Sequence, residues 1–413
     1  MRTLVAGFVI FFILVASLSA IGTAQTVQPS FASRYIETRY GLATTDSVEI
    51  ADVDRNWAGN EVIYTGWGWG VSYVYGEGDN WTCANPANRS YDVWYAPALV
   101  VGDIDPDVDG NEIVEGLYEL IVWTYDNTTG NWTNTTIWNP WSETYATVHD
   151  VKIGDFDPIH EGVELLVLTT GLYEFYKSQN GSWVKTEIIR EIPVWNVYAC
   201  DIGNFDPRFD GNEVIVFTAE NITEFAWNGT EWYNETIVIP GYYIRSGRVS
   251  EINTTNNVSE IVCGNDYGYV MQVSWNGTGY ETQEIRIFEN METIYSVAVG
   301  DCWTGHSGNE IVAGGGTAAR TVLVWDENGT WQKQLIYENG SRYAVEDLEI
   351  GDFDPSHPGN EIAEGLFLTE IYEDYSVSEH SSGLTSLVFV AVPAVLVFGL
   401  RKIWSSIITA RKR

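Results

Sequence analysis

Apolar and polar residues alternate with a period of two in short runs along most of this chain, and turn residues break the runs at regular distances. Residues 148–155 (VHDVKIGD) alternate, 164–170 (ELLVLTT) are a short apolar run, and 172–178 (LYEFYKS) alternate again. A turn at 179–183 (QNGSW) then leads into 184–190 (VKTEIIR). Alternation over such short runs predicts half-buried strands, so this stretch reads as four antiparallel strands. The same order recurs as EIVAGGG, TVLVWDE, NGTW and QKQLIYE from residue 310, and as EIVCGND, YVMQVSW, NGTG and ETQEIRI from residue 260. Asn-Gly at the turns is a strong hairpin signal. No repeat holds a ten-residue stretch of 3.6 period, which sets aside a helical solenoid.

Between the first and second strand of every repeat lies an acidic loop, plainest in GDFDPSHPGNEI from Gly351. Numbered from its first polar residue, the loop starts at Asp52, Asp103, Asp155, Asn204, Glu251, Asp301 and Asp352. Position 3 is Asp54, Asp105, Asp157, Asp206 and Asp354 in five copies, and position 8 is glycine in six. Position 10 is Glu61, Glu112, Glu164, Glu213, Glu260, Glu310 and Glu361. The fifth copy, EINTTNNVSE, and the sixth, with Trp303 at position 3, have diverged most. Seven four-stranded units at this spacing predict an all-β fold, a seven-bladed β-propeller of four-stranded antiparallel blades. The last repeat lacks a fourth strand, and residues 34–42 (RYIETRYGL) read as the strand that closes the last blade and joins the two ends of the chain.

The ends read differently. Residues 1–24 carry Arg2, an apolar run and a small-residue site, the pattern of a secretory signal peptide. Residues 383–400 are almost purely apolar and long enough to span a bilayer, with a basic tail at 401–413. The expected layout is thus a propeller ectodomain over 25–376, a short linker at 377–382, one transmembrane helix and a cytoplasmic tail, which places the protein at the cell surface. The alternative for the last segment is a second processing signal. A formal charge of -36 argues against nucleic acid as a partner. Cys83, Cys200, Cys263 and Cys302 do not recur with the repeat, and no pairing among them stands out.

Carboxylates at positions 1 and 3 of a glycine-containing loop suggest a calcium site, because hard oxygen ligands converge where the chain turns sharply. The GDxDP and GNEI pattern resembles the FG-GAP and VCBS repeats of integrin-type propellers over residues 48–366. That resemblance implies structural Ca2+ at Asp52, Asp54 and Glu61, at Asp103, Asp105, Asp107 and Glu112, and at Asp155, Asp157 and Glu164. It implies the same at Asn204, Asp206 and Glu213, at Asp301 and Glu310, and at Asp352, Asp354 and Glu361, with the second loop the best candidate. Here the loop is one residue longer than the family's. The alternative is a metal-free turn in which Asp and Asn side chains bond the loop's own backbone and glycine supplies a positive φ.

Strand direction puts the acidic loops and the third-to-fourth strand turns on one face. Six of those turns carry glycosylation sequons, at Asn80, Asn127, Asn180, Asn228, Asn276 and Asn328. The opposite face is built from the other loops, rich in aromatics, and Trp67, Trp69, Trp94, Trp141 and Trp195 are the expected ligand-binding residues. Tyr198 and Tyr295 fall at equivalent places in two first strands and are assigned to blade packing. Five dispersed histidines, three at position 6 of separate loops, predict no histidine cluster for zinc. No nucleophile elbow or phosphate loop is present, and basic residues are scarce. The expected function is non-enzymatic binding or adhesion to an extracellular protein or glycan. The alternatives are a surface carbohydrate-active enzyme, a polysaccharide lyase or hydrolase, and a structural envelope component.

Overall fold

A computed structural model describes residues 28–36, 45–66, 69–86, 98–126, 128–192, 196–238, 243–252, 258–341 and 343–375. The expected signal peptide, membrane span and basic tail lie outside them. No helix among the described residues is long and apolar enough to cross a membrane.

Strand β1 (Phe31–Tyr35) opens the chain, and the first blade follows as β2 (Thr45–Ala51), β3 (Glu61–Gly66), β4 (Trp69–Glu77) and β5 (Asn80–Ala84). The second blade is β6 (Ala98–Gly102), β7 (Glu112–Gly116), β8 (Leu120–Asp126) and β9 (Asn131–Trp138), and a short helix α1 (Pro140–Thr144) links it onward. The third is β10 (Asp150–Gly154), β11 (Glu164–Leu168), β12 (Leu172–Lys177) and β13 (Trp183–Ile189), and the fourth β14 (Val197–Gly203), β15 (Glu213–Thr218), β16 (Asn221–Trp227) and β17 (Trp232–Val238). The fifth is β18 (Ile244–Ser250), β19 (Glu260–Asn265), β20 (Tyr269–Trp275) and β21 (Tyr280–Arg286), and the sixth β22 (Ile294–Gly300), β23 (Glu310–Gly315), β24 (Arg320–Asp326) and β25 (Trp331–Glu338). The seventh blade holds β26 (Leu348–Gly351), β27 (Glu361–Glu364) and β28 (Thr369–Glu373), and β1 pairs with β28 as its fourth strand. The chain is therefore a seven-bladed β-propeller. Its closing strand begins three residues before the expected 34–42, with Arg34 opposite Glu370.

Each apolar cluster joins two blades. Val100, Val114 and Leu120 of the second pack with Val151, Leu165 and Phe175 of the third. Five of the seven loops open on a glycine, and there is a packing reason: a Cβ at Gly102, Gly154 or Gly351 would press at 3.0 to 3.1 Å on an isoleucine of the next blade. A side chain there would make the isoleucine give way by a few tenths of an ångström, as the first and fifth blades allow at Ala51 and Ser250. Cys83, Cys200, Cys263 and Cys302 are all free thiols, and all but Cys83 are buried.

Candidate functional site: two faces of one ring

The acidic loop is held from inside by its last residue. Glu61 Oε2 accepts the backbone N–H groups of Val53 and Asp54 at 2.7 and 3.2 Å, and Glu112, Glu164, Glu213, Glu310 and Glu361 repeat that pair of bonds in their own loops. Glu260 Oε2 accepts the Ile252 N–H at 3.0 Å, and the residue after Ile252 lies outside the described residues. All seven are buried. Burial pushes the carboxyls of Glu61, Glu112, Glu164 and Glu213 up to about 7 and that of Glu361 to about 8, although the N–H bonds pull the other way.

Position 3 is an Asx turn. Oδ1 of Asp54, Asp105, Asp157, Asp206 and Asp354 accepts the N–H two residues on, at 2.8 to 3.1 Å. Each Oδ2 then faces a group of the protein itself: the Tyr73 hydroxyl for Asp54, Lys177 for Asp105, His160 for Asp157, Arg208 for Asp206 and Arg34 for Asp354. Glycine at position 8 has φ between +105° and +126° in all six copies, a region that L side chains rarely enter.

This geometry does not assemble the expected calcium ligands. Position 1, from Asp52 through Asp103, Asp155, Asn204, Glu251, Asp301 and Asp352, is exposed in every copy, position 3 is turned inward, and position 10 gives Oε2 to the backbone, while Oε1 of Glu61, Glu164 and Glu213 is buried with no hydrogen-bond partner among the described residues. In the first, second, third and seventh loops, where positions 1, 3 and 10 are all carboxylates, the three do not come within 4.8 Å of one another. In the second loop, the favoured candidate, Lys177 of the third blade sits on Asp105, while Asp107 and Asp109 point to solvent. A calcium ion on Asp105 would have to displace Lys177, and one on Asp354 would have to displace Arg34.

Position 9 carries a role that the sequence reading missed. Nδ2 of Asn60, Asn111, Asn212, Asn309 and Asn360 donates to the backbone carbonyl at position 1 of the preceding blade's loop, at 2.6 to 2.8 Å. Ser259 makes the equivalent bond with its backbone N–H, to Asn204. The loops therefore staple blade to blade around this face. Asn80, Asn180, Asn228, Asn276 and Asn328 are exposed beside them, and Asn127 lies outside the described residues. A recess of about 360 Å³ between the fifth and sixth loops is lined by polar groups such as Gln272, Gln283 and Asp326.

On the opposite face the axial channel opens. The residue five places before the end of each first strand reaches its mouth, and the described ones are His149, Tyr198, Arg245, Tyr295 and Glu346. Tyr198 and Tyr295 thus line the channel mouth instead of packing between blades, which corrects the expectation. The Arg245 guanidinium lies 4.7 Å over the Tyr198 ring and has no ion-pair partner among the described residues. Deeper in the channel, Arg248 lies 3.7 Å from Asp347 and 3.9 Å from Glu349, and Lys152 lies 3.4 Å from Asp150. Burial, then Glu349, push the Glu49 carboxyl up to about 8. Asp150, Asp201 and Asp347 also accept backbone N–H groups of the next blade's first strand, from Cys200, Val249 and Val48. The recess at the mouth is about 150 Å³, below the ~300 Å³ of an enclosing small-molecule site.

Of the five expected ligand-binding tryptophans, Trp67, Trp94 and Trp195 lie outside the described residues, and Trp69 is placed in β4 by backbone alone. Trp141 stands on α1, 46% exposed, edge-on to Tyr118 at 5.1 Å and to Tyr145 at 5.9 Å. The helix holds it there through Asn139, whose Oδ1 caps Ser142 N–H at 2.7 Å. Tyr243, Met291 and Tyr343, on later blade links, add exposed apolar surface to this face.

No protein-family model matches the chain, and no curated protein matches it. Solved structures do. The extracellular domain of the candidate one component system BT4673 from B. thetaiotaomicron superposes with a TM-score of 0.53 at 15% identity, over 83% of this chain and 39% of that one. BBS1N, in complex with ARL6DN, gives 0.55 at 9% identity over 84% of this chain and 97% of that one. Saccharomyces cerevisiae Sqt1 gives 0.51 at 10% over 83% and 99%. Likeness at these identities shows the fold alone, and the chain spans about two fifths of the first of these proteins.

Proposed function

We propose that this propeller is a non-enzymatic binding or adhesion module of the cell surface, and that its ligand seats on the face opposite the acidic loops. One observation carries the reading. A position with a fixed structural task keeps its residue type through the repeats, as position 10 keeps glutamate in all seven loops. The channel-mouth position instead varies through His149, Tyr198, Arg245, Tyr295 and Glu346 while the backbone around it repeats. Divergence at a repeated, accessible place is what one asymmetric ligand asks of a symmetric ring. Arg245, with no ion-pair partner among the described residues, lies beside Tyr198 and suits an acidic group carried on an apolar or sugar face, and the Tyr118, Trp141 and Tyr145 cluster extends the same surface.

The ligand in this reading is an extracellular protein or glycan. Surface location rests on the N-terminal and C-terminal segments read from the sequence, and relation to FG-GAP and VCBS propellers rests on the repeat pattern. The acidic face, with its sequons, serves as the braced and glycosylated side. The purified full-length chain, in detergent, screened against glycans and surface proteins, tests this. Capture that survives loss of the sequon asparagines and is lost in Trp141→Ala with Tyr145→Ala supports the reading, and capture with the opposite dependence overturns it.

A second reading, the carbohydrate-active enzyme, is favoured by Lys152, Arg245 and Arg248 gathering with carboxylates in the channel. Turnover of a captured polysaccharide would choose it.

A further inference from the structure

The third and seventh blades share a pattern that the other blades lack: Asp-Pro-x-His in the acidic loop, and Glu-x-Tyr on the third strand. In the third blade Asp157, His160 and Glu174 come together, with His160 Nδ1 2.7 Å from Glu174 Oε1 and 3.4 Å from Asp157 Oδ2. The imidazole is stacked on Tyr176 at 3.6 Å between ring centres, which fixes its plane. In the seventh blade Asp354, His357, Glu370 and Tyr372 repeat the arrangement, with a stack of 3.7 Å.

The two differ in what faces the carboxylates: in the seventh blade the Gly78 N–H donates to Asp354 at 3.1 Å. In the seventh blade the guanidinium of Arg34, from the closing strand, lies on both Asp354 and Glu370. In the fourth blade Arg208 plays the same part between Asp206 and Glu224. In the third blade the residue opposite Glu174 is Thr186, where the seventh has Arg34 opposite Glu370. No lysine or arginine among the described residues pairs with Asp157 or Glu174. Glu174 is fully buried, and its Oε2 has no hydrogen-bond partner.

We propose that Asp157, His160 and Glu174 form a binding site for a first-row transition dication of the Zn2+ type, occupying the place that arginine fills in the fourth and seventh blades. Donors about 2.0 to 2.1 Å from a tetrahedral ion lie roughly 3.3 Å apart. The 3.4 Å spacing of His160 and Asp157 already meets that, and the 2.7 Å contact of His160 with Glu174 needs to open by about 0.6 Å. One imidazole with two carboxylates favours zinc, cobalt or manganese over calcium. Asp157 Oδ1 is held by the Ile159 N–H at 2.9 Å, which leaves Oδ2 to the ion. Half-exposed His160 provides the way in from solvent, and water completes the coordination.

Metal-stripped full-length protein titrated calorimetrically with ZnCl2, and with CoCl2 followed by visible absorption, tests the site. Wild type is expected to take up one equivalent of Zn2+ and to give Co2+ bands, with millimolar CaCl2 failing to compete. Glu174→Gln and His160→Gln each weaken binding at least tenfold while circular dichroism keeps the sheet signal, and His357→Gln leaves binding as it was. Either of the first two variants, if folded, is sufficient. No uptake by wild type, uptake unchanged in both site variants, or loss in His357→Gln overturns the proposal.

Discussion

Asn360 Nδ2 donates to the backbone carbonyl of Asp301 at 2.8 Å, crossing from the seventh blade to the sixth. Four further asparagines make the same crossing elsewhere, so the acidic face is a ring of side-chain staples on a ring of sheets. A neutral side-chain bond of this kind contributes about 1 kcal/mol. Asn360→Ala and Asn111→Ala should each lose about that much in denaturant unfolding, and the pair, far apart, should add. A loss near zero for both would remove the staple from the account.

Glu112 separates a clamp from a calcium ligand. Removing its carboxyl in Glu112→Ala leaves the buried N–H groups of Ile104 and Asp105 without an acceptor, expected to cost about 3 kcal/mol. Glu112→Gln keeps an acceptor and should cost much less. Equal losses in the two variants would argue that charge, not the acceptor, is what the loop needs.

Chelation probes the same loops from outside. Because Lys177 and Arg34 already sit on Asp105 and Asp354, melting in EGTA should match melting in millimolar CaCl2. A calcium-dependent rise of several degrees would restore calcium to the loops.

The pH dependence has a definite sign. Glu61, Glu112, Glu164, Glu213 and Glu361 have folded values of about 7 to 8, raised by burial from an ordinary 4.5. Their contribution is fully present below about pH 4.5 and is lost as pH rises through 7 to 8. Asp206 and Asp354, held below their ordinary value of 3.8, contribute oppositely, but only at pH lower than that. The melting temperature should therefore fall from pH 5 to pH 8.5, with a shallower slope in Glu361→Gln. A rise over that range would contradict the assignment.

The ring was legible from the sequence because a four-strand alternation and a ten-residue loop recur together, and the closing strand followed from the missing strand after Glu361. The loop's chemistry was not. A carboxylate beside a tight turn can meet a cation or the turn's own N–H groups, and only the position of Glu61 relative to Val53 and Asp54 separates the two. Alternation also does not say which side of a first strand looks toward the axis, so by itself it assigns Tyr198 and Tyr295 to blade packing. The partnership of His160 with Glu174 depends on the register Leu166 to Glu174, which no periodicity encodes.

Binding through the channel-mouth face is the central claim, and Arg245→Glu tests it most directly. Affinity of the full-length chain for a ligand found in the surface screen should fall at least tenfold in Arg245→Glu, with unchanged melting, and stay as in wild type in Asn328→Gln on the acidic face. Full affinity in Arg245→Glu together with loss in Asn328→Gln would place the ligand on the acidic loops and contradict the account.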